Sequence, residues 1–311
     1  MVQRLDPALR HLATTRTDLS AASIGPSRES LNRRRNEIAQ SLNTTGVVIT
    51  DAQVAAAGGH LIPVRIYRPG GKSARSGAVI YCHAGAFVLG NLDTDHRQCV
   101  EFVRRAACTV ISVDYRLAPE HPYPAAMDDV LAVLDWVVET DALDIDTSRM
   151  AIAGSSAGAA LAAGVAQRAA AGQAPPVFFQ LLHQPVLDDR PTPSKAEFTD
   201  TPGFDGPATG LMWRHYLAGQ PNRPGAVPAA ADSLIGIAPA LITCSELDPL
   251  RDEAVDYALR LMRAGVSTEL HVFAGTCHGF DSLLPEWLTT RRLFAMQGAA
   301  LTAALHTPAA N

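Results

Sequence analysis

Met150-Ala151-Ile152-Ala153-Gly154-Ser155-Ser156-Ala157-Gly158, running on into an alanine-rich segment that ends at Ala171, is the stretch that decides how this 311-residue chain folds. The apolar residues before the glycine read as a buried strand, and the alanine-rich run after Gly158 reads as a helix. The spacing Gly154-x-Ser156-x-Gly158 would arise by chance about 0.1 times in a chain of this composition, so its strand-to-helix setting carries the reading. A serine at so sharp a turn adopts a strained backbone, and glycines two before and two after it let the neighbouring strand and helix approach without a clash. The turn aims the Ser156 hydroxyl into a cleft. It also sets the Ala157 N–H at a helix N-terminus, where it can stabilise negative charge.

Outward from this turn, short apolar runs alternate with helical segments: Ala78 to Tyr81, Thr109 to Val113, Met150 to Ala153, Val177 to Leu182, Ala240 to Thr243 and Glu269 to Phe273. Such alternation is the sequence form of a parallel sheet with helices on both faces. Two earlier runs of β character, Val47 to Ala55 and Leu61 to Tyr67, bring the expected sheet to about eight strands. Residues 1–44 carry two helical patterns and no strand signal. Residues 188–228 are rich in Pro, Gly, Asp and Thr, with an aromatic patch at Trp213 and Tyr216, and are long for a plain loop. Insertions after strand ends build binding sites at the C-terminal edge of such sheets. The expected organisation is therefore an α/β core of residues 45–187 and 229–311, an N-terminal helical cap of residues 1–44, and a cap insertion of residues 188–228.

Composition bounds the function. With 47% hydrophobic and 18% charged residues, the chain has the balance of a folded globular protein. A formal net charge of -5 with scattered basic residues gives no footprint for nucleic acid. The one basic cluster, Arg33-Arg34-Arg35, lies in a helical pattern from Arg28 to Leu42 and is expected on a solvated helix face. No run of 18 apolar residues and no apolar signal core after Met1 is present, so a cytoplasmic protein without membrane partners is expected. Five cysteines, Cys82, Cys99, Cys108, Cys244 and Cys277, are an odd number without CxxC spacing, which argues for free thiols over a disulfide framework or structural zinc. The sequence has no HExxH, Walker or dinucleotide fingerprint, and no metal or cofactor is expected.

A serine hydroxyl is a poor nucleophile until a base takes its proton, and that base needs an orienting third group. Asp248 follows the apolar run that ends at Thr243, and His278 follows the run that ends at Phe273, so both belong at C-terminal strand ends. Asp252, four residues on and inside a helical pattern, is the nearest rival acid, expected instead in a salt bridge or at the helix dipole. His83-Ala84-Gly85-Ala86-Phe87 directly follows an earlier strand, where small residues let backbone N–H groups turn toward a substrate oxygen. The other histidines are expected at the surface or in packing.

Five ordered segments, His83 to Gly90, Asp114-Tyr115-Arg116-Leu117-Ala118-Pro119-Glu120, Gly154 to Gly158, Asp248-Pro249-Leu250-Arg251-Asp252-Glu253 and His278-Gly279-Phe280, span nearly the whole chain. Together they resemble the motifs of the bacterial hormone-sensitive-lipase-like esterases, which have the α/β-hydrolase fold. The resemblance implies a mostly parallel, twisted sheet flanked by helices, with a helical cap. It implies Ser156 as nucleophile, His278 as general base and acid, and Asp248 as its partner. The N–H groups of Gly85, Ala86 and Ala157 would form the oxyanion hole, with His83, Ala84, Gly154 and Gly158 as motif positions. The implied reaction is hydrolysis of small, short-acyl esters through an acyl-enzyme, with no cofactor. The Asp114 to Glu120 segment is expected to be scaffold.

Two departures stand out. The oxyanion loop reads His-Ala-Gly-Ala where the family usually has three glycines after the histidine, and Ser155 replaces the commoner Asp or Thr. Neither removes a backbone donor. Ala86 is accordingly expected at negative φ, so that glycine in its place would lower stability. An amidase or deacetylase on the same triad, like the arylacetamide deacetylases, stays open. So does a non-catalytic binding protein like the plant gibberellin receptors, although those lack the catalytic histidine that His278 matches. The natural substrate and the possibility of a homodimer are not legible in the sequence.

Overall fold

The computed structural model describes residues 2–71, 75–220 and 223–306. Its strands are β1 (Val47–Ala55), β2 (Leu61–Pro69), β3 (Ser76–Cys82), β4 (Thr109–Val113), β5 (Ile145–Ser155), β6 (Phe179–His183), β7 (Ala240–Leu247) and β8 (Thr268–Cys277). The helices are α1 (Ala21–Ser41), α2 (His96–Ala106), α3 (Ala125–Glu139), α4 (Ala157–Ala170), α5 (Pro193–Glu197), α6 (Gly206–Tyr216), α7 (Arg251–Arg263), α8 (Phe280–Leu283) and α9 (Leu288–His306).

All eight strands form one sheet in the order β1-β2-β4-β3-β5-β6-β7-β8. β1 pairs antiparallel with β2, and β2 antiparallel with β4; every other pairing is parallel. This is an α/β-hydrolase sheet. Alternation along the strands sends successive side chains to two helical layers. Met150 and Ile152 of β5 join one buried cluster with Val130, Leu134 and Leu161 of α3 and α4. Ala151 and Ala153 join the other, with Val100 and Phe102 of α2 and Leu301 of α9. Both faces being covered explains why these strands read as unbroken apolar runs.

From β3 the chain moves outward to β4, then returns to build β5 on the other side of β3, so the strand order reverses there. Crevices at such a reversal lie at the carboxyl ends of the strands and are where ligands bind in open α/β sheets. Register brings the key ends together. Cys82 pairs with Gly154, Gly154 with Leu182, and Leu247 with Cys277. His83, Ser156, Asp248 and His278 therefore leave the sheet along one edge.

Several elements exceed the expected limits. β7 runs on to Leu247 and β8 to Cys277, because pairing with a neighbour continues past the apolar run. α1 starts at Ala21 rather than near Arg28, over a stretch whose Gly25-Pro26 pair reads as a helix break. Arg33 and Arg34 are exposed on it. Arg35 departs from the solvated-face expectation: its Nη1–H donates to Thr94 Oγ1 at 3.1 Å, and it lines a cavity of about 220 Å³ between α1, the start of α2 and residues 281–285. Within residues 188–228, α6 starts at a sequence-local cap, where the Asp205 carboxylate accepts from the Ala208 N–H at 3.0 Å. That segment meets the N-terminal one through Gly203 N–H to Thr15 O (3.0 Å) and His215 Nε2 to Leu19 O (2.9 Å).

All five cysteines are buried free thiols, and burial pushes Cys108, Cys244 and Cys277 up to about 12. Among the described residues no helix is long and apolar enough to cross a membrane, and no cluster of His, Cys, Asp and Glu is arranged to hold a metal ion.

Candidate active site

Ser156 sits between β5 and α4 with φ 54° and ψ -118°, a conformation that costs free energy in an L-residue and persists only where the surroundings enforce it. They do so by close contact. A Cβ on Gly154 would stand 2.3 Å from the Gly158 carbonyl oxygen, and one on Gly158 would stand 2.0 Å from that of Cys82. The Ser156 N–H donates to His183 O at 2.8 Å, and its carbonyl accepts from Val186 N–H at 3.2 Å.

The hydroxyl finds its expected neighbour. His278 Nε2 is 2.9 Å from Ser156 Oγ, and its Nδ1 is 2.8 Å from Asp248 Oδ2. The carboxylate can only accept, so Nδ1 carries the proton and Nε2 is left to accept from the serine. Asp248 is fully buried and steadied by the Leu250 N–H, 2.9 Å from Oδ1. Burial alone would favour neutral His278, but the charge and hydrogen bond of Asp248 outweigh it and raise its pKa above the ordinary 6.5. Asp252 lies elsewhere: it accepts from Ser194 N–H at 2.7 Å and pairs with Arg251 Nε at 2.8 Å, which ties α5 to α7.

The loop after β3 starts beside the Ser156 turn, where a Cβ on Gly158 would stand 2.5 Å from the His83 carbonyl oxygen. Among the described residues, the N–H groups of Gly85, Ala86 and Ala157 donate to no protein acceptor. His83 is buried, neutral and stacked on Tyr115, with ring centroids 4.2 Å apart; burial lowers its pKa to about 4. Its carbonyl accepts from the Tyr115 hydroxyl at 2.7 Å, so Tyr115 supports the loop. Gly85 has φ 141°, and a Cβ there would lie 1.9 Å from Leu89 O.

Ala86 corrects the expectation of negative φ: it lies at φ 53°, followed by Phe87 at φ 60°. Two consecutive left-handed residues curl the chain so that Gly85 O accepts from both Val88 N–H (3.0 Å) and Leu89 N–H (2.7 Å). The loop's own hydrogen bonds thus enforce a conformation that alanine resists by about 1 kcal/mol or more. The expected outcome of Ala86→Gly is reversed accordingly. It should raise stability, by up to about 1 kcal/mol in denaturant melts, once the added freedom of the unfolded chain is subtracted.

Three supporting residues escaped the sequence reading. Asp95 is half-buried beside the loop, accepting from Ala84 N–H (2.8 Å) and the Tyr81 hydroxyl (3.1 Å), and desolvation raises its pKa. His183 hydrogen bonds to Thr243 Oγ1 (2.9 Å) and Asp281 Oδ1 (3.2 Å) while its carbonyl accepts from the Ser156 N–H. Gln184, at φ 46°, accepts from the Gly279 N–H (2.8 Å) beside His278. For His183 and Gln184 the signal was there, a core strand ending in polar residues. For Asp95 none was.

A serine hydroxyl against an imidazole held by a buried carboxylate, at the reversal of a parallel sheet, defines the class of α/β-hydrolases. A model of that fold family matches residues 79–282. Esterase LipI of Mycobacterium tuberculosis is 42% identical over 228 residues, 70% of this chain and 71% of its own. Ethyl acetate hydrolase of Pseudomonas putida is 36% identical over 243 residues, 75% of each. Among solved structures, the esterase LipW of Mycobacterium marinum superposes with a TM-score of 0.95 at 60% identity, covering 99% of this chain and 98% of that one. A bacterial heroin esterase superposes at 0.92 with 33% identity, covering 98% and 99%. The chain belongs to the hormone-sensitive-lipase-like esterases of the α/β-hydrolase family, and it is a hydrolase acting on carboxylic esters.

Proposed function

We propose that this esterase cleaves short-acyl esters by a two-step route in which Ser156 is acylated and then released by water. The observation that carries the reading is the unbroken relay from Ser156 Oγ to His278 to Asp248; beside it, the N–H groups of Gly85, Ala86 and Ala157 have no acceptor among the described residues and are available to a substrate oxygen. Ser156 Oγ attacks the ester carbonyl carbon as its proton passes to His278 Nε2. The carbonyl oxygen, now anionic, is received by the N–H groups of Gly85, Ala86 and Ala157. Collapse expels the alcohol, which takes the proton from Nε2. Water then attacks the acyl-enzyme with His278 as base, returning Ser156 and releasing the carboxylic acid.

Residues 1–44 and 188–228 would act as the cap over this edge. The Phe204 ring lies 5.0 Å from the His278 ring, and Phe87, Trp213 and Tyr216 pack on one another beside the loop. These side chains are buried, and so crowded a surround favours a small acyl group. Turnover of 4-nitrophenyl esters of rising acyl length tests this directly. Rates should peak at short chains, and faster cleavage of emulsified long-chain triglyceride would overturn the preference.

The route also fixes the sign of the pH dependence. Only neutral imidazole accepts the serine proton, so activity falls as pH drops through the His278 pKa. Because Asp248 raises that pKa, the acid limb of kcat/KM should be centred above 6.5. A profile flat from pH 5 to 8 would contradict His278 as the base.

A further inference from the structure

The oxyanion loop is held in a strained shape, and most of what holds it lies within the core. Asp95 accepts from Ala84, and Tyr115 donates to His83. Two ties come from elsewhere, the first from α1. Arg28 of α1 donates from Nε to Val88 O (2.5 Å) and from Nη2 to Ala118 O (2.7 Å). Glu120 orients the same guanidinium through two further bonds, Nη1 to Oε1 (2.7 Å) and Nη2 to Oε2 (2.8 Å). The bracket closes on itself, because Ala118 N–H donates to Phe87 O at 2.9 Å. On the opposite side, the Phe87 ring stacks on Tyr216 of α6, with centroids 3.7 Å apart and planes 11° from parallel.

We propose that Arg28 is a positioning residue for the oxyanion hole: it locks Ala86 and Phe87 in their left-handed conformation and so couples α1 to the stabilisation of the transition state. This rests on the assignment of the Gly85 and Ala86 N–H groups as oxyanion donors. The physical argument is local. Ala86 and Phe87 each gain by relaxing to negative φ. A swing of φ at Ala86 rotates the peptide that carries both the Ala86 N–H and the Gly85 carbonyl, so the donor turns away as the Val88 and Leu89 bonds to Gly85 O break. Fixing Val88 O and Phe87 O from outside blocks that swing. Arginine suits the task because its planar fork serves three acceptors at fixed angles, which a single ammonium cannot do. Glu120 is exposed but spends both oxygens on this guanidinium.

The test compares wild type, Arg28→Ala, Arg28→Lys and Glu120→Ala on a soluble 4-nitrophenyl ester, together with inhibition by a matched trifluoromethyl ketone and methyl ketone. The trifluoromethyl ketone forms a hemiketal oxyanion with the serine; the methyl ketone binds as a ground-state analogue. Arg28→Ala should lower kcat about 10- to 100-fold, somewhat less than outright loss of one oxyanion donor. KM and methyl-ketone affinity should stay within about threefold, while trifluoromethyl-ketone affinity weakens in step with kcat. Arg28→Lys and Glu120→Ala should fall between wild type and Arg28→Ala, and they carry the test should Arg28→Ala not fold. Unchanged kcat in folded Arg28→Ala, or unchanged kcat in both milder variants, would overturn the proposal. So would a loss confined to KM, which would make the bracket a part of substrate binding only. A wild-type enzyme with no preference for the trifluoromethyl ketone would instead overturn the oxyanion assignment beneath it.

Discussion

Ser156→Ala is expected to leave a folded protein whose kcat for ester hydrolysis is lowered by at least ~10³-fold, the loss typical of removing a triad member. The size follows from what the hydroxyl does in the proposed route. Without Oγ no acyl-enzyme can form, and only binding and oxyanion stabilisation remain to assist direct attack by water. Folding should survive because the strain at this turn is held by the backbone, through the Ser156 N–H to His183 O and the packing of Gly154 and Gly158, none of which needs the side chain. Ser155→Ala is the matched control. Ser155 ends β5 in register with His183, so its side chain is not the one presented by the turn, and most activity should remain. Near wild-type turnover by Ser156→Ala would remove Ser156 from the mechanism.

Asp248→Asn should be of similar or greater severity, with kcat lowered on the order of 10⁴-fold. The asparagine would fit the buried space and could still accept from Leu250 N–H, so the loss is one of proton placement. An amide turned so that its NH₂ faces His278 Nδ1 makes that nitrogen an acceptor, which moves the ring proton to Nε2 and leaves nothing to receive the Ser156 proton. The imidazolium formed during attack also loses its compensating charge. Asp252→Asn serves as the contrast. Its carboxylate clips α5 to α7 through Ser194 N–H and Arg251, so its loss should appear mainly as about 1 kcal/mol of stability, with kcat within tenfold of wild type. The opposite ranking of the two variants would transfer the acid role to Asp252.

What could be read from the chain before folding shares one property: the physical cause is local. Gly154 and Gly158 are required by atoms within a few residues or on the adjoining strand, and a buried parallel strand must be apolar along its length, so the Ser156 turn and most of the sheet show in the sequence. Asp248 and His278 could be named because a parallel sheet aligns its strand ends, and each follows an apolar run that becomes a strand.

The remainder depended on contacts between distant segments. No residue type near Ala86 signals positive φ; the loop's own hydrogen bonds from Val88 and Leu89 to Gly85 O hold it, and the bracket from Arg28, about sixty residues upstream, reinforces it. Arg35 belongs to a run of three arginines that looks uniformly solvated, yet helix geometry turns it toward Thr94 while Arg33 and Arg34 stay exposed. Asp95 resembles any polar residue before a helix until the fold sets its carboxylate against the Ala84 N–H at the start of the loop after β3. Short-range sterics and hydrophobic periodicity thus determined the sheet and the placement of Ser156, Asp248 and His278 at its strand ends. The conformation of the loop after β3 was settled only in the folded chain, because its strained backbone is tolerated where its own hydrogen bonds and groups from distant segments hold it at once.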